Sequence, residues 1–300
     1  MAMSSAPTGS AKTIGALWLL AGTALFTVIF ASAKFAGSAA SVPQLLMLRY
    51  IGGLGTLLAP ALFSPRPLTS YRSRQPGQHF LRASLGALGG LAAIYAAAHM
   101  PVAAASAIGL LEGLIVMVLA IIMLGEIVGW RHWLAGLLCA TGALCVVVWQ
   151  SPGAASAGGT LFPATMALLG AILMAFESIF IKRLTNKDAP LAMLLHFNGF
   201  GCLLMLVPAV LTWREAGLAV WIAGLSLGPV ALFAQYCNIR GFGMVDMAVA
   251  GPIGYAWIVF AALLGFLAFG ETPGLGTLAG SLLILGGGLW LTCLPSTRRA

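Results

Sequence analysis

The sequence predicts an all-α membrane protein of ten transmembrane helices, laid out as two inverted five-helix repeats. Three observations point there. Of the 300 residues, 60% are hydrophobic and 7% charged, and mean hydropathy is +1.01, whereas a soluble domain covers its surface with roughly 25% charged residues. Long apolar runs follow one another with only short polar breaks, and each is enough for about 20 helical residues crossing ~30 Å of hydrocarbon. The second half then repeats the organisation of the first.

The repeat is legible residue by residue. Pro43-Gln44-Leu45-Leu46-Met47-Leu48-Arg49-Tyr50 opens one apolar segment and Pro190-Leu191-Ala192-Met193-Leu194-Leu195-His196-Phe197 opens its counterpart. Pro43 matches Pro190, Arg49 matches His196, and Pro60 falls within one residue of Pro208. Lys34 corresponds to Lys182, and Leu124-Gly125-Glu126 to Phe269-Gly270-Glu271, with offsets of 145 to 148 residues throughout. An odd number of spans per unit turns the second copy upside down in the bilayer, and such repeats place a binding site between the halves near the midplane.

Taken in order, the spans are predicted over 14–36, 43–63, 80–99, 102–124 and 131–149, then 161–182, 190–211, 217–238, 246–269 and 275–293. Two five-helix domains, 1–150 and 161–300, are joined by a linker over 151–160, the stretch whose Gly, Ala and Ser content suits a flexible connection. Ala31-Ser32-Ala33 resembles a signal-peptide cleavage site. Removing the run before it would leave the first repeat one helix short, so it is read as a span. Pro60, Pro208, Pro229 and Pro252 fall inside spans, where each removes a backbone hydrogen bond and permits a kink. Gly86/Gly90, Gly109/Gly113, Gly224/Gly228 and Gly276/Gly280 have the spacing that lets helix backbones approach closely.

The net charge of +8 in a soluble protein would suggest nucleic acid. Here its placement gives another account, and no nucleic-acid partner is expected. With both termini cytoplasmic, Lys12, Arg66, Arg72, Arg74, Arg82, Arg131, Lys182, Arg183, Lys187, Arg240, Arg298 and Arg299 fall inside and only Arg214 outside. The five cysteines lie in apolar segments without metal-ligand spacing and read as small hydrophobes. No cofactor or metal site is expected.

An ionisable residue at membrane depth is costly, which makes it a functional candidate. Glu112, near the middle of the fourth span, is the deepest charge and suits a substrate amine or a proton. Arg49 suits a substrate carboxylate through bidentate hydrogen bonding. Lys34 and Glu177 are candidates for coupling or gating, although Lys34 is close enough to a helix end to snorkel to the interface. Tyr95, Tyr255, Trp257, His196, Asn198 and Gln235 supply aromatic and polar groups at span depth, and Trp257 stands in the second half where Glu112 stands in the first. Asp246 reads as the N-cap of the ninth span. Gly224-Leu225-Ser226-Leu227-Gly228 matches the nucleophile elbow of hydrolases, but that elbow requires a strand-to-helix turn and this stretch is an apolar helix.

The doubled five-helix layout, the glutamates of Leu124-Gly125-Glu126 and Phe269-Gly270-Glu271, and the passage from Gly243-Met244-Val245-Asp246 to Gly251-Pro252 resemble the drug/metabolite transporter superfamily, EamA type. That resemblance covers nearly the whole chain. It implies a multi-pass carrier of the bacterial inner membrane, working by alternating access on a small-molecule substrate, with a proton as candidate coupling ion and a monomer or homodimer as its assembly. Members export amino acids or their derivatives, and others take up S-adenosylmethionine or riboflavin. Export of amino acids or derivatives is the first reading and uptake of a cofactor-like solute the alternative. An intramembrane enzyme built on Ser226 is the remote one. Glu112 stands close to where many relatives carry a proline, which separates this chain from their substrates.

Overall fold

The computed structural model describes residues 9–36, 39–63, 71–99, 108–150, 161–269 and 274–295. Eleven principal helices carry them, and no strand is present among the described residues. They are α1 (Gly9–Ala36), α2 (Val42–Phe63), α3 (Pro76–His99), α4 (Leu111–Leu124), α5 (Trp130–Gln150) and α6 (Leu161–Thr185). Then come α7 (Pro190–Leu211), α8 (Leu218–Met244), α9 (Met247–Ile253), α10 (Ala256–Phe269) and α11 (Leu275–Cys293). Eight helical stretches among the described residues are long and apolar enough to cross a membrane, the stretch through α9 and α10 counting as one, and α3 and the shorter α4 accompany them.

Contacts between chain-distant ends show how the helices alternate. Lys12 donates to the carbonyl of Leu294 at 3.0 Å, so both ends of the described chain lie on one face of the bundle, here the termini face. At the opposite face the Gln44 side chain donates to the Arg214 carbonyl at 3.1 Å and accepts from the Arg214 N–H at 3.2 Å, stapling the start of α2 to the loop before α8. The helices then pack in pairs across the two halves: α1 with α8 and α10, α2 with α7 and α8, α3 with α6 and α7, α4 with α6 and α9, and α5 with α11.

Small residues make these seams. Gly52 on α2 and Gly228 on α8 meet backbone to backbone, and a Cβ on Gly228 would strike the Gly52 carbonyl carbon and the Gly53 nitrogen. Gly142 on α5 and Gly280 on α11 meet in the same way. Without a hydrophobic force between helices in lipid, close packing and interhelical hydrogen bonds must hold them. Gly228→Val is therefore expected to destabilise the protein by at least about 1–3 kcal/mol, read as a lowered melting temperature in detergent. Gly55→Ala, whose new methyl would find no neighbour within 4 Å, serves as the neutral control.

Two segments depart from the spans expected. The fourth was predicted from residue 102, and its regular helix runs from Leu111, residues 100–107 lying outside those described. The ninth is broken: α9 contains Pro252 and stops at a turn over Gly254 and Tyr255 before α10 resumes, because a proline cannot supply the N–H that a continuous helix needs there. The 151–160 linker and Glu271 also lie outside the described residues.

Candidate functional site

Charge and polarity converge in the middle of the bundle. Arg82 on α3, with a side chain only 2% exposed, faces Glu177 on α6 across 3.7 Å between Nε and Oε1. That is an ion pair, but it is too long for a hydrogen bond. One turn further along α3, Gly86 makes the berth: a Cβ there would lie 2.5 Å from Glu177 Oε2 and 2.8 Å from its Cδ. The Arg82 guanidinium lies 4.5 Å above the ring of Phe197, which meets Tyr50 edge to face at 6.0 Å between centroids. Arg49 covers the Tyr50 ring at 4.5 Å and lies within hydrogen-bond reach of its hydroxyl. Nε of Arg49 and both Nε and Nη1 of Arg82 are buried without hydrogen-bond partners.

Phe197 carries this cluster to α8. Its neighbour Asn198 donates to the Leu194 carbonyl at 2.8 Å and to Gln235 Oε1 at 3.0 Å, while Gln235 Nε2 is a buried donor with no acceptor. Asn198 is seated against Gly53 of α2 just as Tyr50 is seated against Gly201 of α7. On the other flank, Glu112 lies in the first turn of α4. Tyr255, freed by the break between α9 and α10, donates to the Leu110 carbonyl at 2.7 Å and lays its ring on Gly113. Tyr255 and Glu177 both lie within electrostatic range of Glu112.

Of the residues singled out in the sequence, Arg49, Glu177, Asn198, Gln235, Tyr255 and Glu112 therefore meet in one region. The others lie elsewhere. His196 stacks on His79 at 4.8 Å, and the Nε2–H of His79 donates to Asp188 at 2.8 Å in the loop before α7. Tyr95 stacks on His99 at 4.0 Å and meets Phe162 at 5.7 Å, towards the opposite face. Trp257 is partly exposed on α10, and the side chain of Lys34 lies outside the described residues. Ser226 donates to the Ala223 carbonyl within an unbroken α8, with no strand-to-helix turn around it.

Arg82 is the functional candidate that the sequence did not yield. The sequence counts it only among the cations of the cytoplasmic side, although it falls within the third span expected over 80–99; in the structure α3 begins at Pro76 and the residue is buried. The available signal was its position relative to Gly86, one turn away on an otherwise apolar stretch.

Below this region the termini face is closed by charged caps. Gly125 turns left-handed at φ 66°, which a glycine adopts without a Cβ penalty, and the next residue, Glu126, is thereby thrown onto the start of α9. Its carboxylate accepts from the N–H groups of Met247 at 2.9 Å and Ala248 at 3.1 Å. Burial pushes the Glu126 carboxyl above its ordinary pKa, and these two hydrogen bonds hold it back. The expected cap, Asp246, occupies the N-cap position but makes no side-chain cap bond. Lys182 donates at 2.6 Å to each of the Phe242 and Val245 carbonyls, closing the end of α8. A cleft of about 390 Å³ opens beside it, lined by Gln78, Met123, Arg183 and Lys187 among others.

Asp188 ties the loop before α3 to the loop before α7, accepting from Ser73 and meeting His79. Partial burial works to raise its pKa, but the Ser73 and His79 hydrogen bonds and the nearby histidine charges outweigh it, so the net shift is downward from 3.8. A carboxylate with a depressed folded pKa adds stability above its unfolded pKa and loses it as pH falls through the folded one. Asp188→Asn is thus expected to cost about 1–2 kcal/mol at pH 7. The variant and the parent should converge in melting temperature as pH drops below the ordinary carboxylate range.

Comparisons with known proteins agree with this architecture. The chain is 29% identical over 272 residues to the pseudopaline exporter CntI of Pseudomonas aeruginosa, covering 89% of this chain and 92% of the relative. It is 25% identical over 269 residues to a riboflavin transporter of Vibrio cholerae, covering 86% of each. It is 24% identical over 214 residues to an S-adenosylmethionine uptake transporter of Rickettsia bellii, covering 71% and 72%. A solved crystal structure superimposes with a TM-score of 0.76 at 22% identity, over 97% of this chain and 99% of that one, which speaks to the fold. The profile of the EamA-like transporter family matches residues 13–148 and 161–293. A helical bundle with membrane-crossing stretches, buried opposite charges at its centre and that profile along both halves make this chain a member of the EamA-like transporter family.

Proposed function

We propose that this chain is a secondary active carrier of the bacterial inner membrane that exports amino acids or their derivatives by alternating access. The observation that carries the reading is the central group in which Glu112 and Glu177 stand among Arg49 and Arg82, with buried N–H donors that have no acceptor. A zwitterionic solute supplies what such a group lacks: a carboxylate for the guanidinium and an amine for Glu112. Arg49, Asn198 and Gln235 line the binding site with Tyr255, while Tyr95, Trp257 and His196 flank the path. Lys34 and Glu177 join Glu112 as candidates for coupling to protons.

The two halves, 1–150 and 161–300, act as inverted units joined by the external linker 151–160. Exchange of partners supports this. The α1 to α8 contact has its counterpart in α6 to α3, α2 to α8 in α7 to α3, and α1 to α10 in α6 to α4, while α2 meets α7 and α5 meets α11. Tyr50 against Gly201 and Asn198 against Gly53 repeat the exchange between side chains. Rocking one unit on the other opens the centre to either face in turn. Both termini face the cytoplasm, in keeping with the positive-inside rule.

A second reading, uptake of a cofactor-like solute, is favoured by the relatives that carry riboflavin and S-adenosylmethionine transport in their names. Proteoliposomes separate the two. With a proton gradient imposed, a labelled amino acid is expected to move faster than in protein-free liposomes, and dissipating the gradient abolishes the difference. Accumulation of labelled riboflavin or S-adenosylmethionine, with no amino acid moved, would transfer the conclusion to the second reading.

A further inference from the structure

We infer that the cargo bears at least two carboxylates and a basic nitrogen, and that Arg82 is the residue that selects for the second carboxylate. This deepens the carrier reading above and rests on it. The argument begins with supply and demand for hydrogen bonds. A guanidinium offers five N–H donors in a fixed planar fork and can never shed its charge. Arg82, 2% exposed, leaves Nε and Nη1 without an acceptor, and Arg49 leaves Nε without one. Buried donors are nearly always paired in a folded protein, so an unpaired group calls for an explanation.

The protein's own acceptors do not provide it. Glu177 is the carboxylate that faces Arg82, and it stops at 3.7 Å, near enough to balance charge and too far to accept a hydrogen bond. Nor can Phe197 help, since the ring that lies 4.5 Å from the Arg82 guanidinium carries no nitrogen or oxygen to accept its N–H groups. Tyr50 lies against Arg49 with its ring at 4.5 Å and its hydroxyl within hydrogen-bond reach, and still leaves the Arg49 Nε–H without an acceptor. Each guanidinium thus has an aromatic ring against it and at least one buried N–H with no acceptor.

The two cations also reach the centre from different directions. By helical rise, Arg82 lies roughly 9 Å from the termini-face end of α3 and Arg49 roughly 10 Å from the opposite-face end of α2. One carboxylate cannot satisfy both forks bidentately from such positions, whereas two on one solute can. Glu112, in the first turn of α4 and within electrostatic range of Glu177, offers the basic nitrogen its counter-charge. A neutral or monocarboxylate solute would leave Arg82 as it stands.

The test is a binding titration on the full-length purified protein, with l-aspartate, l-glutamate and their N-carboxymethyl derivatives as probes and asparagine and glutamine as controls. At least one dicarboxylate probe is expected to bind about 10- to 100-fold tighter than its amide, the range for losing a charge-assisted contact. Arg82→Gln is expected to erase that preference, the dicarboxylate then binding no tighter than its amide. Because Arg82→Gln strands Glu177, the double variant Arg82→Gln, Glu177→Gln repeats the measurement with the pair neutralised. An amide binding as tightly as its dicarboxylate, or a preference that survives in the double variant, overturns the inference and leaves the carrier reading standing. If neither dicarboxylates nor amides bind, the inference and the amino-acid cargo fall together.

Discussion

Arg82→Met is expected to lower the stability of the folded protein by about 3–5 kcal/mol, the range for removing one partner of a buried ion pair. The cost comes from the group left behind. Glu177, only 15% exposed, would keep its place beside Gly86 with its nearest cation gone and only the weaker influence of Arg49 left. Replacing both residues, Arg82→Met with Glu177→Met, removes the stranded charge and is expected to restore most of the loss, because well-packed apolar pairs often substitute for buried ions without penalty. Thermal or denaturant unfolding in detergent, run as a double-mutant cycle, measures the coupling. If the single variant were as stable as the parent, the pair would have no part in holding the seam.

Glu112→Gln carries the largest expected effect on transport. The substitution keeps size and hydrogen-bonding capacity and removes the negative charge from the first turn of α4, where the Tyr255 hydroxyl and the α9 to α10 break converge. Losing a charge-assisted contact to a cationic cargo, worth about 1.5–3 kcal/mol, corresponds to a fall of roughly 10- to 150-fold in cargo affinity. Response to an imposed proton gradient is expected to disappear as well, while Glu112→Asp retains part of both. Transport in proteoliposomes, at several cargo concentrations and with the gradient present or collapsed, separates weakened binding from lost coupling. Unaltered affinity and coupling in Glu112→Gln would remove this carboxylate from the mechanism.

Much of this site was readable because a charge inside an apolar run stands out. Glu112, Glu177 and Arg49 needed no partner to be noticed, and Tyr50 and Asn198 pack reciprocally on Gly201 and Gly53. Arg82 was hidden by its place near the start of the third span, soon after Arg72 and Arg74, where it reads as one more cation of the same side; its burial and the Gly86 berth set it apart. Helix capping misled for a different reason. Asp246 is the local choice for the ninth span, yet the N–H groups of Met247 and Ala248 are taken by Glu126, a partner 121 residues earlier that spacing cannot reveal. His196 aligns with Arg49 in the repeat but meets His79, which bonds the Asp188 loop, a pairing that α3 supplies and the repeat does not encode. The repeat preserves backbone placement better than side-chain role.

The central claim is a solute site at the middle of the bundle that opens to each face in turn. Its most direct test is chemical access. In a variant lacking all five native cysteines, Glu112→Cys is exposed to a membrane-impermeant, positively charged thiol reagent, once in right-side-out and once in inverted vesicles. Ile122→Cys, on the outer surface of α4 where the parent side chain is 73% exposed, reports labelling of the lipid-facing side. The account predicts labelling of Cys at 112 from both faces, slowed by the transported solute, with the 122 control unreactive. Labelling of 112 from one face alone under every condition, or from neither, would contradict it.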